Sequence, residues 1–491
     1  MPKNLFFYVA VLLVFGTGIW FILRSGAHLK PDAAVVSAVA PAGPSHSGVG
    51  PEIKKPASGG IAQTLIENVQ SPLSILLLQV IVIVAAARLL GALFQKIGQP
   101  PVIGEMVAGI LLGPSLLGWM APGVQTFLFP VASLGGLRML SQIGVILFMF
   151  VVGIELDVRH LRQSAHAAVM VSHASIVVPF FLGCGSALLL YRSLAPAGVP
   201  FSAFALFIGV AMSITAFPVL ARILEDRRMT RSNLGSTAIA CAAVDDVTAW
   251  CMLAVVVAIV KANGLGGSLL TIGLTLLFIA VMLFGIKPLA SRIASVRPEG
   301  QAASAGLLAT LFAFVFISAL LTELIGIHAL FGAFLAGVCM PPDSSLRNFL
   351  RERLETFSSV LLLPLFFAFT GLRTQLGLLA DWQSWLICGA IVLVAIAGKL
   401  LGSMGAARWT GMSWGDSFSL GVLMNTRGLV ELIVLNLGYD LGILSPRIFT
   451  MLVLMALITT FMTGPLLHLR SVLGRREALV LDVGGRSGSR V

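Results

Sequence analysis

From about residue 72 the chain alternates long apolar runs with short polar ones. The runs lie near 72–93, 101–119, 136–156, 165–190, 200–224, 235–260, 266–288, 302–322, 325–340, 355–373, 384–405, 415–438 and 446–469. Runs of this length cross the roughly 30 Å hydrocarbon core of a bilayer as helices. Inside hydrocarbon each segment has to satisfy its own backbone groups, which leaves the helix as the expected form. About thirteen membrane-spanning helices are therefore predicted, in an all-α polytopic protein. An earlier apolar stretch, 5–23, follows Lys3 and reads as a signal anchor or signal peptide occupying 1–25. No A-x-A-type cleavage site follows it at once, which favours an anchor. Residues 26–70 are rich in Pro, Ala, Gly and Ser and read as a flexible linker. The membrane domain is then 71–470, followed by a short polar tail, 471–491.

The charges between the runs fix the expected orientation. One set of alternate loops carries Lys96; Arg159 and Arg162; Arg227, Arg228 and Arg231; Lys287, Arg292 and Arg297; Arg347, Arg351 and Arg353; Arg408; and Arg470, Arg475 and Arg476. The opposite set holds little beyond Arg138, Arg192, Lys261, Arg373 and Arg447. Basic loops stay in the cytoplasm. The first set and the C-terminus are expected there, and the linker outside. A bacterial inner membrane is the expected location.

Composition agrees with that reading. The chain is 57% hydrophobic and 11% charged, with a mean hydropathy of +0.99. Soluble domains carry about 25% charge. The net charge of +11 is accounted for by the loops and implies no nucleic-acid partner. The five cysteines, Cys184, Cys241, Cys251, Cys339 and Cys388, all fall in apolar segments and none has CxxC spacing. They read as small buried side chains. There is no HExxH spacing, no P-loop and no dinucleotide-binding glycine motif after a strand. No nucleotide, no cofactor and no enzymatic activity are expected.

Against this apolar background a few polar positions at membrane depth stand out. Asp245 and Asp246 lie midway along the run 235–260. One Asp at a helix centre costs about 2.5–3.5 kcal/mol even on the low insertion scales. Two in a row also repel, so an ion or proton site is the default reading. The alternative is a pair of carboxylates that only ties helices together. In the preceding run, Ser213-Ile214-Thr215-Ala216-Phe217-Pro218 suggests a helix broken where it lines a cavity. An ordinary proline kink at Pro218 is the alternative. Lys399 lies within an apolar run and needs a counter-charge. Asn425, Thr426 and Gly428 suggest a second break, with Arg427 and Glu431 one turn apart and able to pair with each other. Arg373 ends its run and is expected to snorkel to the outer face. Two interrupted helices in corresponding places of two halves are the sequence pointer to an inverted-repeat transporter with a midplane site.

At these residues the chain resembles the second branch of the monovalent cation:proton antiporter superfamily. The matching stretches are Ala211–Leu224 and Ala242–Trp250, with Gly98–Glu105, Gly109–Pro114 and Gly153-Ile154-Glu155-Leu156-Asp157. Asn425–Leu432 is close to the plant cation/proton exchangers. The resemblance covers about 72–470. It implies a thirteen-helix antiporter fold with two crossed discontinuous helices, a core sliding against a dimerisation domain, and a homodimer. By motif position, Asp246 looks like the carboxylate that binds cation and proton. Asp245 looks like the partner of Lys399, and Thr215 and Ser213 would line the crossing. Arg427 and Glu431 would balance charge with Lys399, and Glu155 and Pro218 would be structural. The Asp-Asp pair with Lys399 resembles the electrogenic sodium-type arrangement. The Asn425–Leu432 stretch resembles exchangers associated with potassium. The cation is left as Na⁺ or K⁺.

The function expected is exchange of a monovalent cation for protons across the bilayer by alternating access. The cation and the proton would compete for Asp246. A sodium-coupled solute symporter or a potassium-efflux pathway of similar fold is the alternative. An intramembrane aspartyl protease needs its two Asp residues on facing helices around one water. Here they are adjacent in one helix, and no Gly-x-Gly-Asp occurs.

Overall fold

A computed structural model describes residues 2–32, 68, 71–155, 165–230, 232–261, 265–295, 305–341, 349–350, 353–354 and 356–487. Most of the linker, Arg159, Arg162 and Asp157 lie outside the described residues, as do Arg231, Arg297, Arg347 and Arg351. Among the described residues the regular structure is helical, with no strand.

The main helices are α1 (Pro2–Gly26), α2 (Pro72–Lys96), α3 (Pro101–Leu112), α4 (Leu134–Glu155) and α5 (Ala165–Leu194). They continue with α6 (Phe201–Ser213), α7 (Phe217–Asp226), α8 (Asn233–Lys261), α9 (Leu265–Ala280), α10 (Ala305–Ile325) and α11 (Ala329–Val338). The last are α12 (Leu363–Arg373), α13 (Trp382–Trp409), α14 (Trp414–Met424), α15 (Leu429–Asp440) and α16 (Pro446–Ser487). Each of the thirteen expected runs has a helix at its place. Among the described residues ten are long and apolar enough to cross a membrane, or eleven when α14 and α15, bent by 42°, count as one span. The other two, Ala329–Val338 and Ser358–Arg373, are shorter apolar helices. A count of thirteen spans is therefore not met by length alone.

The two expected breaks are both present. The chain between α6 and α7 is extended at Ile214 and Ala216, and Pro218 stands in the first turn of α7. A proline there loses no hydrogen bond, because the first amides of a helix have no partner within it. Pro218 thus starts a second half-helix and does not kink a continuous one. Between α14 and α15, Asn425 to Gly428 leave the helical path. The two breaks cross and bond through their backbones: the Ala216 amide donates to the Thr426 carbonyl at 3.0 Å.

Around this crossing pack α5, α8, α13 and α16. A second group forms beside it, with α3 against α2 and α12, and α4 against α11 and α12. Small residues let these backbones close up, as helix packing in lipid favours. Gly153 of α4 and Gly337 of α11 face each other so closely that a Cβ on either would fall on the other's backbone. Arg138 and Arg373 both meet Asp440 at one end. Arg227 of the other set bonds to the Gly464 carbonyl.

Candidate functional site

The crossing brings together Asp245 and Asp246 from α8, Thr215 from the first break, Lys399 from α13 and two serines from α5. All are buried, Asp245, Lys399 and Thr215 at 0% exposure. Lys399 Nζ lies 3.1 Å from Asp245 Oδ2, 2.9 Å from Ser175 Oγ and 2.6 Å from Thr215 Oγ1. An ammonium has three protons to donate, and these are its three acceptors. Asp245 is equally complete. Its Oδ1 accepts from the Ser172 hydroxyl, and its Oδ2 from Ser175 at 3.0 Å and Lys399. Thr215 Oγ1 is 2.6 Å from Asp245 Oδ2 and 3.0 Å from the Met424 carbonyl. One hydroxyl proton serves one of these acceptors at a time. Thr215 therefore ties the ion pair to the other broken helix.

Asp246 is the opposite case. It is 1% exposed, yet neither carboxylate oxygen has a hydrogen-bond partner. The Phe217 amide at the start of α7 acts on it electrostatically without meeting hydrogen-bond geometry. Asn425 Oδ1, at the second break, is likewise buried without a partner. Successive helix positions point about 100° apart. One carboxylate thus faces Lys399 while its neighbour, the Phe217 amide apart, meets no donor. Buried polar groups are normally satisfied, which sets Asp246 apart from its neighbours.

Arg427 has a different job from simple charge balance. It pairs with Glu431 at 3.1 Å, both side chains fully buried. The same guanidinium donates to the Ala211 carbonyl at 2.8 Å and the Met212 carbonyl at 2.7 Å. These are carbonyls in the last turn of α6, left without helical partners by the break. Arg427 thus caps the negative end of one half-helix from the turn of the other. Thr460 of α16 fixes its backbone, accepting from the Arg427 amide at 2.9 Å and donating to its carbonyl at 2.7 Å.

The other expected residues lie elsewhere. Ser213 turns back on its own helix, donating to the Val210 carbonyl at 2.9 Å. It does not reach the Asp pair, because a hydroxyl in the last turn bonds most easily to the carbonyl three residues back. Glu155 ends α4, partly buried. Arg373, at the end of α12, is held by fixed partners. Its side chain is 14% exposed and bonds to Asp440 at 2.8 Å and Asn436 at 2.9 Å.

Sequence reasoning missed Ser172, Ser175 and Thr460. Serine and threonine are unremarkable in apolar helices, where they bond back to their own backbone. The spacing of Ser172 and Ser175, three apart on one helical face, was the available signal.

A buried ion pair, an orphaned carboxylate and two crossed half-helices are brought together at one place between the helices. The transmembrane sodium/hydrogen exchanger family model matches residues 81–469, and the chain belongs to that family. It is 45% identical over 395 residues to the Na(+)/H(+) antiporter NhaS4 of Synechocystis, covering 80% of this chain and 96% of the relative. It is 41% identical over 417 residues to cation/H(+) antiporter 17 of Arabidopsis thaliana, covering 84% of this chain and 50% of the relative. The K(+)/H(+) antiporter 1 of Saccharomyces cerevisiae is 35% identical over 410 residues, 82% of this chain and 47% of the relative. The chain thus spans about half the length of these plant and yeast relatives. In fold it is similar to the sodium proton antiporter MjNhaP1 of Methanocaldococcus jannaschii. The TM-score is 0.59 at 15% identity, covering 82% of this chain and 99% of that one.

Proposed function

We propose that this chain exchanges a monovalent cation for protons, and that the two compete at Asp246. The observation that carries the reading is the contrast between the two carboxylates. Asp245 is matched by Lys399, Ser172, Ser175 and Thr215, while Asp246 is buried with both oxygens unpartnered. Lys399 balances Asp245, and Arg427 balances Glu431. That leaves Asp246 as the unbalanced charge at the crossing. A buried carboxylate is tolerable when a proton or a cation neutralises it. Either does so, and one excludes the other. Alternating access to the two faces then converts a gradient of one into movement of the other.

The basic loop set and the C-terminus lie in the cytoplasm in this reading, by the charge bias alone. The cation is sodium or potassium, since relatives named for each are similar to this chain. The test is proton flux in everted membrane vesicles with a preset ΔpH. NaCl, KCl or LiCl is added in turn to wild type and Asp246→Asn. Cation-triggered loss of ΔpH that disappears in the variant is expected, and it names the ion. Equal responses in wild type and variant would remove Asp246 from the site.

A further inference from the structure

At the end of the molecule that carries Arg138 and Arg373, a cavity of about 360 Å³ opens between α4, α12, α15 and the start of α11, with Glu323 and His328 also in its wall. It reaches from Arg138, Arg373 and Asp440 down to Val145 and Ile433. Ile433 is two residues from Glu431, whose partner Arg427 caps the first break. The cavity therefore runs from the outer end of the helices toward the crossing.

An ion bridge spans its mouth. Asp440, the last residue of α15, lies between two arginines from two other helices. Arg138 Nη2 of α4 is 2.9 Å from its Oδ2, and Arg373 Nη2 of α12 is 2.8 Å from its Oδ1. Arg373 reaches α15 a second time, donating to Asn436 Oδ1 at 2.9 Å. Its guanidinium also lies over the rings of Phe369, at 4.3 Å, and Tyr439, at 5.1 Å. Asn436 in turn donates to Thr370 Oγ1 at 2.7 Å. A forked guanidinium, stacked and doubly bonded, holds one geometry where a lysine would not.

The bridge joins parts that belong to different groups. α15 is half of the second broken helix and packs on α6 and α16, and touches α12 where the bridge lies. α4 and α12 pack on each other, and with α11 and α3, away from the Asp pair. We infer that Asp440, Arg138 and Arg373 form an outer latch, closed in this conformation, that separates when Asp246 is reached from the outer face. This rests on the antiport reading. A site sealed in the middle of the membrane is served from both faces only if the elements carrying it move against those that do not. The latch is a charged joint between the two groups on the outer side, and its three residues position α15 without touching the transported ion.

Two measurements test it. In the first, Arg138→Cys and Asp440→Cys are combined with Cys251→Ala, because Cys251 is the native cysteine that is exposed. A short bis-methanethiosulfonate reagent links the pair in proteoliposomes. Cation-driven proton flux is expected to fall to background on linking and to return on reduction, with each single-cysteine variant unaffected by the reagent. A linked protein that transports as fast as the unlinked one overturns the latch. In the second, Ser141→Cys, within the cavity, is labelled from outside by an impermeant maleimide. Adding Asp440→Asn is expected to speed labelling several-fold, and an unchanged rate overturns the latch without any transport being measured. Failure of the antiport reading shows separately, as absence of cation-driven flux in the Cys251→Ala parent.

Discussion

Asp245 and Asp246, adjacent in one helix, are expected to affect stability in opposite directions. Asp245 neutralises Lys399, which has 0% exposure. In Asp245→Asn the ammonium is left buried without a counter-ion. Breaking a buried pair from one side costs about 3–5 kcal/mol. Asp246→Asn removes a carboxylate with no partner to strand, so its melting temperature in detergent is expected to equal or exceed that of wild type. Fluorescence-detected thermal unfolding of the two variants side by side reads the difference. Equal destabilisation would mean that Asp246 has a fixed partner after all. The pair itself was legible in the sequence because two charges in a run such as 235–260 have almost no polar background to hide in. Ser172 and Ser175 were not, since small hydroxyls are common in apolar helices. Ser213, expected at the site, turned back on its own carbonyl. Sequence alone does not say which way a hydroxyl beside a break will turn.

At the scale of the element, the two broken helices depend on one side chain. Arg427 serves Ala211, Met212 and Glu431 at once, from the loop between α14 and α15. Those acceptors are spread over a plane that a guanidinium fork spans and a point ammonium does not. Arg427→Lys keeps the charge but leaves at least one α6 carbonyl unpaired, at about 1–3 kcal/mol for each buried group. Thermal stability is expected to fall by an amount close to that of Arg427→Gln. A lysine variant as stable as wild type would show that charge, not the fork, holds the crossing. Here the sequence was half legible. The i,i+4 spacing gave the Glu431 pair directly, while main-chain carbonyls of a distant helix leave no mark on the residues that bind them. The breaks themselves were readable from Pro218 and Gly428, because few residue types tolerate the end of a helix inside a membrane.

For the whole molecule, the open question in the sequence was α1, read as a signal anchor or a cleaved signal. In the structure it lies against α5 and α6. Phe15 meets Phe181 edge-on at 5.2 Å, Gly18 faces Phe181, and Gly26 faces the Phe201 ring. Beyond α1 the Asp32 amide donates to the Arg192 carbonyl at 2.9 Å, fastening the chain to the end of α5. The energetic argument differs from that for a soluble protein. Removing α1 would put lipid, not water, on Phe181 and Phe201, so no hydrophobic penalty arises. The loss would be the shape match alone, which is what holds helices together in a bilayer. Glycines set against two aromatic rings are a match that a cleaved signal does not need. The mature protein is therefore expected to retain residues 2–26, which an intact mass of the purified chain decides directly. A variant lacking them is expected to keep cation-driven proton flux, because no described side chain of α1 hydrogen-bonds at the Asp245–Asp246 site. Its melting temperature in detergent is expected to be lower. Flux lost while the variant stays folded would instead place α1 in the working part of the transporter, coupled through α5 to the serines that hold Asp245.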